Sequence, residues 1–196
     1  MMLSDLFRMI VDGDNAAAAR LLSRDPALAT AASGDGASRQ SATAHFYTSI
    51  SHYAYAGDTA LHMAAAAFQP TAARALVEAG ADVRARNRRG AEPLHYASDT
   101  NHWNPQAQAE TIAYLISAGA DPNALDKSGV APIHRAVRTR SAAAVKALID
   151  GGANPQLKNK SGSTPMALAM KTTGRGGSGS AHAREQQTKI IELLHE

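Results

Sequence analysis

Four segments of this 196-residue chain open on the same signal: GDTALHMAA from Gly57, GAEPLHYAS from Gly90, GVAPIHRAV from Gly129 and GSTPMALAM from Gly162. The four glycines lie 33, 39 and 33 residues apart. A recurrence at that period constrains the fold more than any other feature. A unit so short cannot bury its own apolar face, so copies must stack on one another.

The residues inside the period explain what is repeated. Thr59 and Thr164 can accept a hydrogen bond from the free N–H groups of a starting helix. Pro93, Pro132 and Pro165 suit its first turn, where a missing N–H costs nothing. Further on come ARALVEAGAD, IAYLISAGAD and VKALIDGGAN, with Leu, Ile and Val at helical spacing before Gly80, Gly119 and Gly152. Those glycines suit the left-handed residue that closes a second helix. The following VRARNRRG, PNALDKSG and PQLKNKSG are polar, turn-rich and too short for another helix.

This helix–helix–turn unit, built on a T-P-L-H core, resembles the ankyrin repeat. The resemblance implies an all-α solenoid of helix pairs with short projecting finger turns. It divides the chain, read as a single array over 1–196, into a capping helix pair at 3–29, an insertion at 30–56, repeats at 57–89, 90–128 and 129–161, and a C-terminal capping repeat at 162–196. The N-terminal pair is expected to break at Gly13-Asp14, and the amphipathic TKIIELLHE closes the other end. Abundant alanine and few aromatics fit the close stacking of short helices. No stretch of 18 apolar residues is present, and Asp5 and Arg8 interrupt the first apolar run. The expectation is a cytoplasmic, monomeric protein without membrane contact. The chain has no cysteine, so disulfides and thiolate chemistry are excluded.

Three insertions depart from the repeat. The segment from Ala29 to Ala56 begins rich in Ser, Gly and Ala and ends with Phe46, Tyr47, Tyr53 and Tyr55. There, Phe46, Thr48, Ile50 and His52 alternate against Tyr47, Ser49, Ser51 and Tyr53, predicting an extended element or short β-hairpin within 44–56. The second insertion, 98–108, carries the sole tryptophan, Trp103. The third, 171–183, contains GRGGSGS. Both emerge from one edge of the stack and could flank a cleft over the Gly129 repeat, or each could fold back over a helix end.

Catalytic and metal-binding patterns are weak. His62, His95 and His134 recur with the repeat. The resemblance gives them structural hydrogen bonds near the inner-helix start rather than a metal-binding role. His45, His52 and His102 lack ligand spacing. GRGGSGS lacks the lysine and the G-K-[ST] ending of a phosphate loop, although Arg175 beside free backbone N–H groups could hold an anion weakly. No nucleophile elbow is present. Neither catalytic residues, metal ligands nor a cofactor site are expected.

Charge placement is more informative than the net value of +3. Arg84, Arg86, Arg88 and Arg89 crowd the first finger, Lys127 lies on the second, and Lys158 and Lys160 on the third. They should form a basic strip, which Arg135, Arg138 and Arg140 extend. In the ankyrin family the concave surface of fingers and inner helices recognises partners, and the residue after the motif histidine faces it. That row is Met63, Tyr96, Arg135 and, where Ala167 replaces the histidine, Leu168. With Arg88, Arg89, Trp103, Lys127 and Arg138, these are the expected contacts to a partner protein of acidic surface. Two alternatives are nucleic acid on the basic strip, ranked lower because no aromatics interleave with the fingers for base stacking, and a small-ligand or enzymatic site between the inserted loops.

Overall fold

The computed structural model describes residues 2–38, 40–99, 102–171 and 180–195. Two N-terminal helices, α1 (Leu3–Val11) and α2 (Asn15–Arg24), precede the insertion. Its two-residue strands β1 (Phe46–Tyr47) and β2 (His52–Tyr53) pair antiparallel. Four helix pairs follow. The inner members are α3 (Ala60–Ala66), α5 (Pro93–Ala97), α7 (Pro132–Arg138) and α9 (Pro165–Ala169). The outer members are α4 (Pro70–Glu78), α6 (Pro105–Ser117), α8 (Ala142–Asp150) and α10 (Ala181–His195).

Stacking proceeds in two parallel series. Helix α1 packs on α3, α3 on α5, α5 on α7 and α7 on α9, while α2, α4, α6, α8 and α10 follow one another in the outer row. Small residues permit that spacing: Ala60, Ala64, Ala65, Ala97, Ala131 and Ala136 are all sealed from solvent. Leu61, Leu94 and Ile133, at matching points of three repeats, join Leu76, Ile112, Leu115 and Leu148 in a continuous core reaching from Leu6 to Leu194. No described helix is long and apolar enough to cross a membrane.

The expected punctuation is present. Thr164 Oγ1 accepts the Ala167 N–H at 3.2 Å. At the far end of α4, Gly80 adopts φ 96° and the Ala81 N–H returns to Leu76 O at 2.9 Å, closing the helix in the left-handed manner. The finger glycines have an added reason to be glycine. Gly129 has φ 67°, and a Cβ there would lie 2.7 Å from Lys160 Cβ on the next finger. Consecutive fingers are joined by backbone bonds, Arg88 N–H to Ala56 O at 2.9 Å, Lys127 N–H to Arg89 O at 3.0 Å and Lys160 N–H to Gly129 O at 3.2 Å.

The hairpin forms with a different facing from uninterrupted alternation. A 3-10 turn at Thr48–Ile50 and Ser51 at φ 48° reverse the chain, so Phe46 pairs with Tyr53 and Tyr47 with His52. Phe46 and Tyr53 meet outside with ring centroids 4.7 Å apart and planes tilted by 47°. On the inside, Tyr47 approaches Phe7 of α1 at 6.4 Å and His52 meets the edge of Tyr96 at 4.5 Å. The hairpin therefore clasps α1 and α5 together.

Candidate functional site

The three motif histidines form a ladder between repeats. Each Nδ1 accepts a backbone N–H at the start of its own inner helix: Thr59 for His62 at 3.2 Å, Glu92 for His95 at 3.1 Å and Ala131 for His134 at 3.1 Å. That leaves the proton on Nε2, which donates across to Ala91 O at 3.0 Å, Val130 O at 3.1 Å and Leu157 O at 3.0 Å respectively. Burial drives all three below the ordinary histidine range, His95 to about 4, so they are neutral cross-links. No group of three or more His, Cys, Asp or Glu that could hold a metal occurs among the described residues.

The row after the histidine is divided by burial. Met63 is fully enclosed, Tyr96 and Arg135 are buried, and Leu168 is half-buried. Tyr96 belongs to a polar network beneath the surface. Its hydroxyl donates to Asp58 Oδ2 at 3.1 Å, and Asn87 Nδ2 donates to Asp58 Oδ1 at 2.8 Å and to the Tyr96 oxygen at 2.9 Å. Burial and the Asp58 carboxylate push the Tyr96 phenol well above its usual value. Arg135 is spread across two carboxylates, with Nη1 at 2.7 Å from Asp99 Oδ2 and Nη2 at 2.8 Å from Asp126 Oδ2. Burial opposes the charge on Asp126, but hydrogen bonds from Arg135, Val130 and Ser128 outweigh it and hold the carboxyl below its usual range. These two groups scaffold the surface from below.

The finger charges are largely committed within the chain. Arg84 pairs with Asp121 at 3.3 Å and Arg86 with Glu92 at 3.0 Å. Arg88 donates to Ala37 O, and Lys127 Nζ to Arg88 O at 2.8 Å. Arg140 is buried, reaching Ala183 O at 3.4 Å and Lys171 O at 3.3 Å. Arg89 and Arg138 are exposed and make no ion pair among the described residues.

The insertions meet rather than bordering an open cleft. His102 turns back to stack on Phe68 at 4.4 Å, and burial lowers its basicity. Trp103, 50% exposed, turns the other way and meets His182 edge-on at 4.5 Å, across the Gly129 repeat. His102 and Trp103 thus turn away from each other rather than facing one site between the inserted loops. Most of GRGGSGS, with Arg175, lies outside the described residues.

A different concavity emerges. The hairpin, the first two fingers and the inner helices α5 and α7 converge on a polar pocket of about 310 Å³. Tyr96 and Arg135 lie in its lining, with Tyr53, Tyr55, Arg89 and Arg138 also at its wall. A larger groove of about 710 Å³ lies between α1 and the insertion, lined in part by Phe7, Arg8 and Tyr47. Sequence reasoning missed Asp58, Asn87, Asp99 and Asp126. One signal was present: Asn87, Asp126 and Asn159 each stand three residues before a finger glycine. There Asn87 Oδ1 accepts from Arg89 and Ala91, Asp126 Oδ1 from Ser128 and Val130, and Asn159 Oδ1 from Ser161 and Ser163.

No curated protein matches the chain. A family model of ankyrin repeats in three copies matches residues 28–126, and a second model of ankyrin repeats in many copies matches residues 115–169. Such repeats are generally protein–protein interaction modules. With the histidine ladder, the stacked helix pairs and the joined fingers, these matches show that the chain belongs to the ankyrin repeat family.

Proposed function

We propose that the chain is a non-catalytic module that binds an acidic partner protein on the face formed by its fingers and inner helices. The observation that carries this reading is the convergence of hairpin, fingers, α5 and α7 on one open polar pocket. Arg89 and Arg138 are the pocket's exposed cations, over the buried Tyr96 and Arg135, and the proposed partner surface extends beyond it to Arg88, Lys127, Trp103 and Leu168, with the enclosed Met63 supporting it from below. Rim charges of this kind steer association and set orientation. Nucleic acid fits less well, because Arg84 and Arg86 are neutralised by neighbouring carboxylates.

The test is affinity capture from the native cell, read by mass spectrometry, with the parent chain and two variants. Lys127→Glu with Arg138→Glu should lose the protein that the parent captures. Arg24→Glu, on the exposed side of α2, should retain it. Equal capture by the finger variant, or loss only in the α2 variant, would move the site to another face.

A further inference from the structure

The pocket between hairpin and fingers has a composition that selects its ligand. Three arginines line it, Arg89, Arg135 and Arg138, against two carboxylates, Asp99 and Asp126. Both carboxylates are spent on Arg135, at 2.7 and 2.8 Å. The lining therefore carries a net of one positive charge, and the arginines outside that ion-paired cluster are Arg89 and Arg138, which approach from a finger and from the last turn of α7.

Their surroundings are arranged for hydrogen bonding. Ser51, Ser128, Tyr53 and Tyr55 belong to the lining, and all four carry hydroxyls. The Arg89 guanidinium lies 4.8 Å from the Tyr55 ring centroid, a stacking that leaves the edge of the fork available. A volume of about 310 Å³ holds one side chain or small organic group rather than a folded segment. A fork-shaped cation matches an oxyanion, and two of them match one that accepts several hydrogen bonds.

From these features we infer that the pocket is a subsite for an oxyanion carried on a small organic group, a phosphate ester or carboxylate side chain of the bound partner. The inference rests on the finger face being the docking surface. It deepens that reading by assigning the group that is read and the two arginines that read it. The insertion is integral to the site, since its hairpin supplies Ser51, Tyr53 and Tyr55, which no regular repeat provides.

Phenyl phosphate, benzoate, inorganic phosphate and anilinium serve as probes, titrated by NMR into the full chain in physiological salt. Phenyl phosphate should saturate and shift the signals of Ser128, Tyr55 and the side chains of Arg89 and Arg138. Benzoate should follow the same signals more weakly, and anilinium should leave them unmoved. Arg89→Gln and Arg138→Gln should each weaken phenyl phosphate by about tenfold, as loss of one charge-assisted hydrogen bond does, and together abolish it. Arg24→Gln should bind as the parent does.

Shifts centred on Lys158 and Lys160, unchanged affinity in the double variant, or no shift at all would overturn the subsite. Inorganic phosphate bound as tightly as its phenyl ester would show a free-ion site and overturn the assignment to a partner side chain. Because the probes require no partner, these outcomes stand apart from the capture experiment, which alone judges the docking face.

Discussion

The histidine ladder makes this fold sensitive to mild acid, and His95 sets the scale. Its ring is held neutral down to about pH 4, chiefly by burial and secondarily by the Arg135 charge. In the unfolded chain a histidine takes up its proton near 6.5. Between these values the unfolded state binds one proton that the folded state refuses. The contribution is therefore complete above pH 6.5 and is lost as the pH falls towards 4. The slope is about 1.4 kcal/mol per pH unit, and the whole loss is about 3 kcal/mol for this one residue. His62 and His134, also depressed by burial, add losses of the same sign. Burial raises Glu92, which opposes the trend towards the carboxylate range, so pH 5.5 to 6.5 is the informative window. Urea unfolding across it should show parent stability falling with acid. In His95→Gln, whose amide can still donate towards Val130 O, the slope should be smaller by about 1 kcal/mol per unit, because the unfolded histidine is only partly protonated across this window. Identical slopes in parent and variant would refute a neutral, proton-refusing His95.

Other expectations follow from single contacts. Arg135→Met should lower stability by about 3–5 kcal/mol, because it strands two buried carboxylates, and adding Asp99→Asn and Asp126→Asn should recover most of the loss. Arg138→Gln should melt with the parent; a fall comparable to Arg135→Met would contradict its exposed placement. Gly129→Ala should cost about 1 kcal/mol or more from its positive φ, plus the clash with Lys160, as read by denaturant midpoint. Glu92→Thr should stabilise by about 1 kcal/mol, since it removes a buried carboxylate whose Oε2 has no partner and restores a hydroxyl beside His95; a lowered midpoint would show that the Arg86 pair outweighs that burial.

The repeat was legible because its signals are local and redundant. Pro132 at a first turn, His134 two residues on and Gly129 at a positive φ each answer to their own short segment, so a period read from letters becomes a period in space. The hairpin was legible for the same reason, but its facing was not, because one residue in a left-handed conformation, Ser51, redirects the strand after it. The candidate site was least legible, and charge shows why. Arg84, Arg86, Arg135 and Arg138 are equivalent as letters, yet Arg84 and Arg86 meet Asp121 and Glu92, and Arg135 meets Asp99 and Asp126. The partner lies 36 or 37 residues away for the Arg135–Asp99 and Arg84–Asp121 pairs, about one repeat along. Stacking converts that sequence distance into contact and neutralises Arg84, Arg86 and Arg135 within the strip before any ligand meets it. A repeat array therefore presents to a partner only the charges its neighbouring repeats have not already used. That remainder depends on registers and insertions, which a reading of one finger at a time does not contain. Arg89 and Arg138 make no ion pair among the described residues, and Tyr53 and Tyr55 join them because an insertion that precedes the first full repeat folds back over the same face.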